Sequence, residues 1–241
     1  MHSTAFFLDK RSLGVYNRIK DEKGVYTMSV LTCRHLHVIG KKTMKGEVLE
    51  DFSIEVNDGE IVALTGKKAA LVIAALSGKA KVTSGEIYFG DHLFVKGKLA
   101  DYSVEFIPCD DDRALGFAPK KPVLKGFIAP LKKRKMPQEM IERMVNEVAQ
   151  MLDFSHLIER RPRALSSQQK TRVALGAAAT RSPRLVVMEN IFSITLPEYH
   201  EGISEAMKSS LEALKLTMLF YTDADKAELA KAAGARVVEV N

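Results

Sequence analysis

The run Gly59-Glu60-Ile61-Val62-Ala63-Leu64-Thr65-Gly66 carries four consecutive apolar residues into a glycine, and every residue from 69 to 76 that follows is apolar. The first segment reads as a buried strand closing in a turn, and the second, rich in Ala and Leu and free of Gly and Pro, reads as a helix. A strand, a turn glycine and a helix in that order form the opening unit of a phosphate-binding fold, in which backbone N–H groups at a helix start hold an anion. The loop pattern that performs this task, G-x-x-x-x-G-K-[ST], also needs a second glycine for close approach, a lysine for the β- and γ-phosphates and a hydroxyl for Mg²⁺. Counted from Gly66, those positions fall on Leu71, Val72 and Ile73; with a loop three residues shorter they fall on Lys68, Ala69 and Ala70. Neither reading supplies the set. The expectation is a nucleotide-binding fold whose phosphate chemistry has been dismantled, with Gly66, Lys67 and Lys68 as its remnant.

The wider composition sets the frame. With 241 residues, 46% hydrophobic and 27% charged, the chain can bury a sizeable core as one large or two small domains. A net charge of +6 permits contact with nucleic acid or anionic lipid without requiring it. Cys33 and Cys109 stand far apart in no metal-ligand spacing, so two free thiols in a reducing compartment are expected and no metal site is implied. The longest apolar stretches fall far below the roughly 20 residues that cross a bilayer. Residues 1–27 hold one short apolar patch at 5–8 followed by Asp9, Lys10 and Arg11, which is read as an extension and not as a secretory signal.

Along the chain, 30–38 and 48–56 alternate as strands of an antiparallel layer around a Lys- and Gly-rich connector at 40–47. Strands at 61–64, 86–89 and 103–107 follow, punctuated by turn signals at Thr83-Ser84-Gly85 and Gly90-Asp91. From 110 to 135 no periodicity is sustained, and the stretch ends in the basic run Lys132-Lys133-Arg134-Lys135. After Pro137, residues Met140, Ile141, Met144, Val148, Met151 and Leu152 recur at helical spacing. A helix at 166–180, a strand at 185–188, a helix at 197–214, a strand at 217–221, a helix at 224–232 and a strand at 236–240 then alternate. That order argues a parallel α/β layer.

Several of these segments, in sequence order, resemble the ATP-binding subunit of ABC transporters. Asp51-Phe52-Ser53-Ile54-Glu55-Val56 and Asp58-Gly59-Glu60-Ile61-Val62-Ala63-Leu64 look like the run-in to the family's phosphate loop. Thr83-Ser84-Gly85-Glu86-Ile87 matches the return after the first helix, and Phe106-Ile107-Pro108-Cys109 looks like the strand end bearing the Q-loop, with Cys109 at the glutamine position. Leu165-Ser166-Ser167-Gln168-Gln169 resembles the LSGGQ signature, and Arg184-Leu185-Val186-Val187-Met188-Glu189-Asn190 resembles the Walker B strand. The stretch 110–117 faintly resembles the same region of sugar and nucleoside importers. The resemblance implies a P-loop NTPase-like ABC ATPase core, α/β with an antiparallel β layer. It spans 28–241 behind the extension 1–27 and carries a helical subdomain at about 110–163.

The resemblance also implies which functions have lapsed. The metal-ordering aspartate and the catalytic glutamate become Glu189 and Asn190, and an amide cannot accept a proton as a carboxylate base does. The switch histidine becomes Asp223, which places negative charge where a γ-phosphate would lie. No aromatic stands between Val38 and Glu47 to stack on adenine, and His37 is the nearest ring. Ser166 keeps the signature's hydroxyl at a helix start, where it either caps the helix or faces a partner's nucleotide. Ser167 and Gln168, replacing two glycines, would obstruct a phosphate. The expected function is a non-hydrolysing or weakly hydrolysing subunit that pairs with a competent ABC ATPase subunit, as homo- or heterodimer, or docks a membrane permease. No catalytic residue and no confident cofactor follow, and ATP with Mg²⁺ would be held only weakly or at a shared dimer site. The residues that would touch it are Gly66, Lys67, Lys68, Ser166 and Glu189, and the expected location is cytoplasmic, peripheral to the membrane through a partner. Two other readings stand beside this one: a divergent active ATPase using Lys67 or Lys68, and a nucleic-acid or ribosome-associated module using Lys132 to Lys135.

Overall fold

The computed structural model describes residues 19–20, 26–27, 29–94, 98–108, 117–118, 120–192 and 196–241. Two-residue strands β1 (Ile19–Lys20) and β2 (Tyr26–Thr27) pair antiparallel ahead of the main sheets. An antiparallel sheet follows, built from β3 (Ser29–Ile39), β4 (Val48–Asn57), β6 (Lys81–Phe89) and β7 (His92–Leu93) in the order β4-β3-β6-β7. A parallel sheet of β5 (Ile61–Thr65), β8 (Val104–Ile107), β9 (Leu185–Met188), β10 (Met218–Tyr221) and β11 (Arg236–Glu239) runs in the order β11-β5-β10-β9-β8. This is the expected mixed architecture of an antiparallel layer on a parallel α/β core.

Strand alternation decides which layer each side chain joins. From β5, Ile61 and Ala63 enter one core while Val62 and Leu64 enter another. Val186 and Met188 of β9 join the first, and Leu185 and Val187 the second. Helix α1 (Ala69–Leu76) lies in the second core between the two sheets, and seven of its eight residues are buried. A helix hydrophobic on every side fits no exposed position, which explains its composition. Helices α2 (Val123–Lys133), α3 (Gln138–Met151), α4 (Ser167–Arg181) and α5 (His200–Leu214) supply the first core, and α6 (Ala227–Ala232) adds Ala230 to it.

Two local expectations are corrected. The Thr83-Ser84-Gly85 turn lies inside β6, where Gly85 has φ +89° and a Cβ would stand 2.4 Å from the His35 carbonyl oxygen. There the β3–β6 register shifts between Arg34 and His37, so the glycine serves a bulge and the strand continues past it. The stretch expected to lack periodicity contains α2, whose Val123, Phe127 and Leu131 are all buried at one-turn intervals. Gly126 and Pro130 mask it. Glycine is required at 126 because a Cβ there would meet the Phe117 ring at 2.3 Å.

Candidate functional site at the carboxyl edge of the parallel sheet

All five strands of the parallel sheet point the same way, so the residues that follow them collect along one edge. Leu64, Tyr221 and Met188 stand at the ends of neighbouring strands by register. This brings Gly66, Thr222, Asp223, Glu189 and Asn190 to the same rim, the place where open α/β sheets bind ligands. Adjacent strands lie about 5 Å apart, so Gly66 and Glu189, two strands removed, are separated by about 10 Å along the sheet.

The turn after β5 is held by the chain's own backbone. Gly66 has φ +96°, and a Cβ on it would stand 2.5 Å from the Val240 carbonyl oxygen. Val240 donates its N–H to Thr65 O at 2.7 Å and accepts from Lys68 N at 3.2 Å. Ala69 N donates to Gly66 O and Leu71 N to Lys68 O. Three amide groups of the segment expected to face an anion therefore already have internal partners. Lys67 is exposed and Lys68 half-buried, while Leu71, Val72 and Ile73 are buried in α1. Ala69, at the lysine position of the shorter loop alignment, is also buried.

Glu189 is partnered as well. Lys79, three residues past the end of α1, forms an ion pair with its carboxylate, and the same ammonium lies 5.3 Å from the Phe106 ring centroid. Glu189 N also donates to Ile107 O at 3.4 Å, which ties the end of β9 to β8. Next to it in the chain, Asn190 Nδ2 donates to Asp223 Oδ2, which follows the neighbouring strand β10, at 3.1 Å. The two positions that the resemblance assigns to catalytic glutamate and switch histidine are thus joined to each other. Thr222 N donates to Leu64 O at 2.9 Å, while its Oγ1 is buried with no hydrogen-bond partner among the described residues.

Ser166 stands at the start of α4, and it caps that helix. Its Oγ accepts from Gln169 N at 3.3 Å, and Gln169 Oε1 accepts from Ser166 N at 3.0 Å, a reciprocal capping box. Gln168 turns back against α5, where a Cβ on Gly202 would meet its Nε2 at 2.4 Å. Of the five residues expected at the site, the fold brings Gly66, Lys67, Lys68 and Glu189 to one edge, while Ser166 is engaged as the cap of α4. Lys79 was missed by sequence reasoning, because nothing local in Gly78-Lys79 signals a partner on β9. Cys109 and residues 110–116, including most of the importer-like stretch, lie outside the described residues.

The model of the ABC transporter family matches residues 49–193. The trehalose/maltose import ATP-binding protein MalK of Thermococcus litoralis is 31% identical over 206 residues, covering 81% of this chain and 54% of that protein. The sn-glycerol-3-phosphate import ATP-binding protein UgpC of Bordetella avium is 32% identical over 205 residues, covering 81% of this chain and 52% of that protein. The chain thus spans about half the length of the curated relatives it matches. Among solved structures, cbiO1 from Clostridium perfringens, part of the ABC transporter complex cbiONQ, superposes with a TM-score of 0.71 at 19% identity, over 88% of this chain and 85% of that one. An ATP-binding cassette dimer in a post-hydrolysis state bound to ADP and Pi gives a TM-score of 0.66 at 17% identity, over 88% of this chain and 94% of that one. The segment order read from sequence, the strand order of the parallel sheet and the matched family model agree: the chain belongs to the ABC transporter family.

Proposed function

We propose that this chain is a non-hydrolysing or weakly hydrolysing member of the family. In this reading it acts by association, pairing with a catalytically competent ATPase subunit or docking a membrane permease. The observation that carries the proposal is the Gly66 to Leu71 segment, where alanines replace cation and hydroxyl and Lys68 gives its N–H to Val240 O. Phosphoryl transfer depends on positioning and on neutralising phosphate charge, so a loop without those groups loses most of the acceleration. The Lys79–Glu189 ion pair supports the same reading, since an ammonium already neutralises the carboxylate that would order Mg²⁺. So does the Asn190–Asp223 bond, because the amide at 190 cannot act as a general base and the carboxylate at 223 supplies no cation for a γ-phosphate. These residues do not fit a Mg²⁺-bound triphosphate.

The relatives named for trehalose/maltose and sn-glycerol-3-phosphate import extend the proposal to solute uptake, with the chain held at the inner face of a membrane by its partner. Residues 28–241 would form the family domain, with 110–163 as the subdomain that meets the partner. The purified chain is expected to show at most weak ATP turnover and at most weak ATP binding, while copurifying with a second ATPase subunit or a permease. ATP hydrolysis abolished by Lys67→Ala with Lys68→Ala would overturn the proposal in favour of a divergent active ATPase.

A further inference from the structure

Between Phe117 and Gln138 the chain has seven lysines and arginines and no acidic residue, against a whole-chain balance of +6, so the remainder is close to neutral. The excess charge of the protein is therefore carried by one helix and its flanks. Within α2, the buried residues Val123, Phe127 and Leu131 define the inner face, and the exposed residues Lys125, Ala129, Lys132 and Lys133 the outer one. Lys120 and Lys121 precede the helix, and both are exposed. The backbone joins a second basic segment to this end: Val123 N donates to Arg160 O at 2.9 Å and Leu124 N to Ile158 O at 2.8 Å. That pairing lays the exposed Arg160, Arg161 and Arg163 beside the start of α2. An 11-residue helix is about 16 Å long, so cations stand at both ends of a short face.

Burial of apolar area does not explain this arrangement, and the recorded ion pairs of the described residues take up none of Lys120, Lys121, Lys125, Lys132 or Lys133. Seven like charges held close together repel one another, so an anionic partner would stabilise the face. Nucleic acid is the poorer match: the only aromatics of the stretch, Phe117 and Phe127, are both buried and offer no base a stacking platform. Lysine-dominated, weakly directional charge on a helix face suits a plane of headgroups.

We propose that the outer face of α2, with Arg160, Arg161 and Arg163, binds the surface of an anionic lipid bilayer directly. The contact is electrostatic and peripheral and needs no partner protein. It is independent of the state of the Gly66 loop, so its failure would leave the proposed function untouched. The test is cosedimentation of the full chain with phosphatidylcholine vesicles, with and without about 30 mol% phosphatidylserine, at low salt and at about 0.5 M salt, where screening removes surface attraction. Binding is expected only with phosphatidylserine and only at low salt. A Lys125→Gln, Lys132→Gln, Lys133→Gln variant should lose at least ~10-fold in partitioning, since each cation near such a surface contributes measurably. Lys41→Gln, Lys42→Gln, Lys45→Gln, which removes the same charge from another exposed face, should change it less than ~2-fold. Circular dichroism checks folding, and Arg160→Gln, Arg161→Gln, Arg163→Gln replaces the first variant should that one unfold. Equal pelleting with neutral vesicles, equal losses in the α2 and control variants, or complete displacement from vesicles by duplex RNA at matched phosphate would each overturn the proposal.

Discussion

Lys79 and Glu189 form an ion pair across 110 positions of sequence, joining the loop behind α1 to the end of the parallel strand β9. The lysine side chain is 49% exposed and the glutamate 17%, so solvent screens the pair and its net contribution is modest. A double-mutant cycle of Lys79→Ala and Glu189→Ala, read by urea unfolding, should give a coupling of about 0.5–1 kcal/mol. A coupling indistinguishable from zero would show that the contact does not hold Glu189 in solution.

The capping box at α4 makes a second prediction. Ser166→Ala removes the acceptor for Gln169 N and should cost about 1 kcal/mol, whereas Ser166→Asp, which retains an acceptor at a helix N-terminus, should cost much less. Thermal unfolding of the two variants decides it. Equal loss in both would mean that the hydroxyl is not used as a cap.

These two contacts differ in how far they could be read from sequence. Ser166 with Gln169 three residues on, ahead of an apolar run, is a local signal, and local signals also placed α1 at 69–76 and β9 at 185–188. The Asn190–Asp223 neighbourhood was accessible only through the resemblance, because strand order and not spacing brings β9 beside β10. Lys79 was beyond reach, since a long-range ion pair leaves no periodic trace. Helix α2 was obscured by residues with tertiary duties: Gly126 admits the Phe117 ring, and Pro130 sits within the helix against propensity. The apolar triplet Val123, Phe127 and Leu131 carried its period throughout.

Gly66 couples the phosphate-loop remnant to the end of the chain's last strand. Alanine there must adopt φ +96° and place its Cβ 2.5 Å from the Val240 carbonyl oxygen, so strain and clash act together. Gly66→Ala should destabilise by about 2–3 kcal/mol, while Gly46→Ala, at φ +92° but in open space, should cost only about 1 kcal/mol. Urea midpoints of the two variants provide the measurement. Equal effects would remove the Val240 contact as a constraint on the loop.

Cys33 supplies a pH-dependent test of the antiparallel layer. It is buried in β3, and burial pushes its thiol up to about 12. An unfolded thiol loses its proton near pH 8.5, so above that pH the native state binds more protons than the unfolded state. Stability from this group is therefore complete below about pH 8.5 and falls as pH rises toward 12, by about 1.4 kcal/mol per unit. Cys33→Ala removes the dependence, while every other ionisable group is common to both proteins and cancels in the difference. Between pH 7.5 and 10 the wild type should lose about 2 kcal/mol relative to the variant in urea unfolding. Parallel stability profiles would instead mean that the thiolate is accommodated within the folded protein.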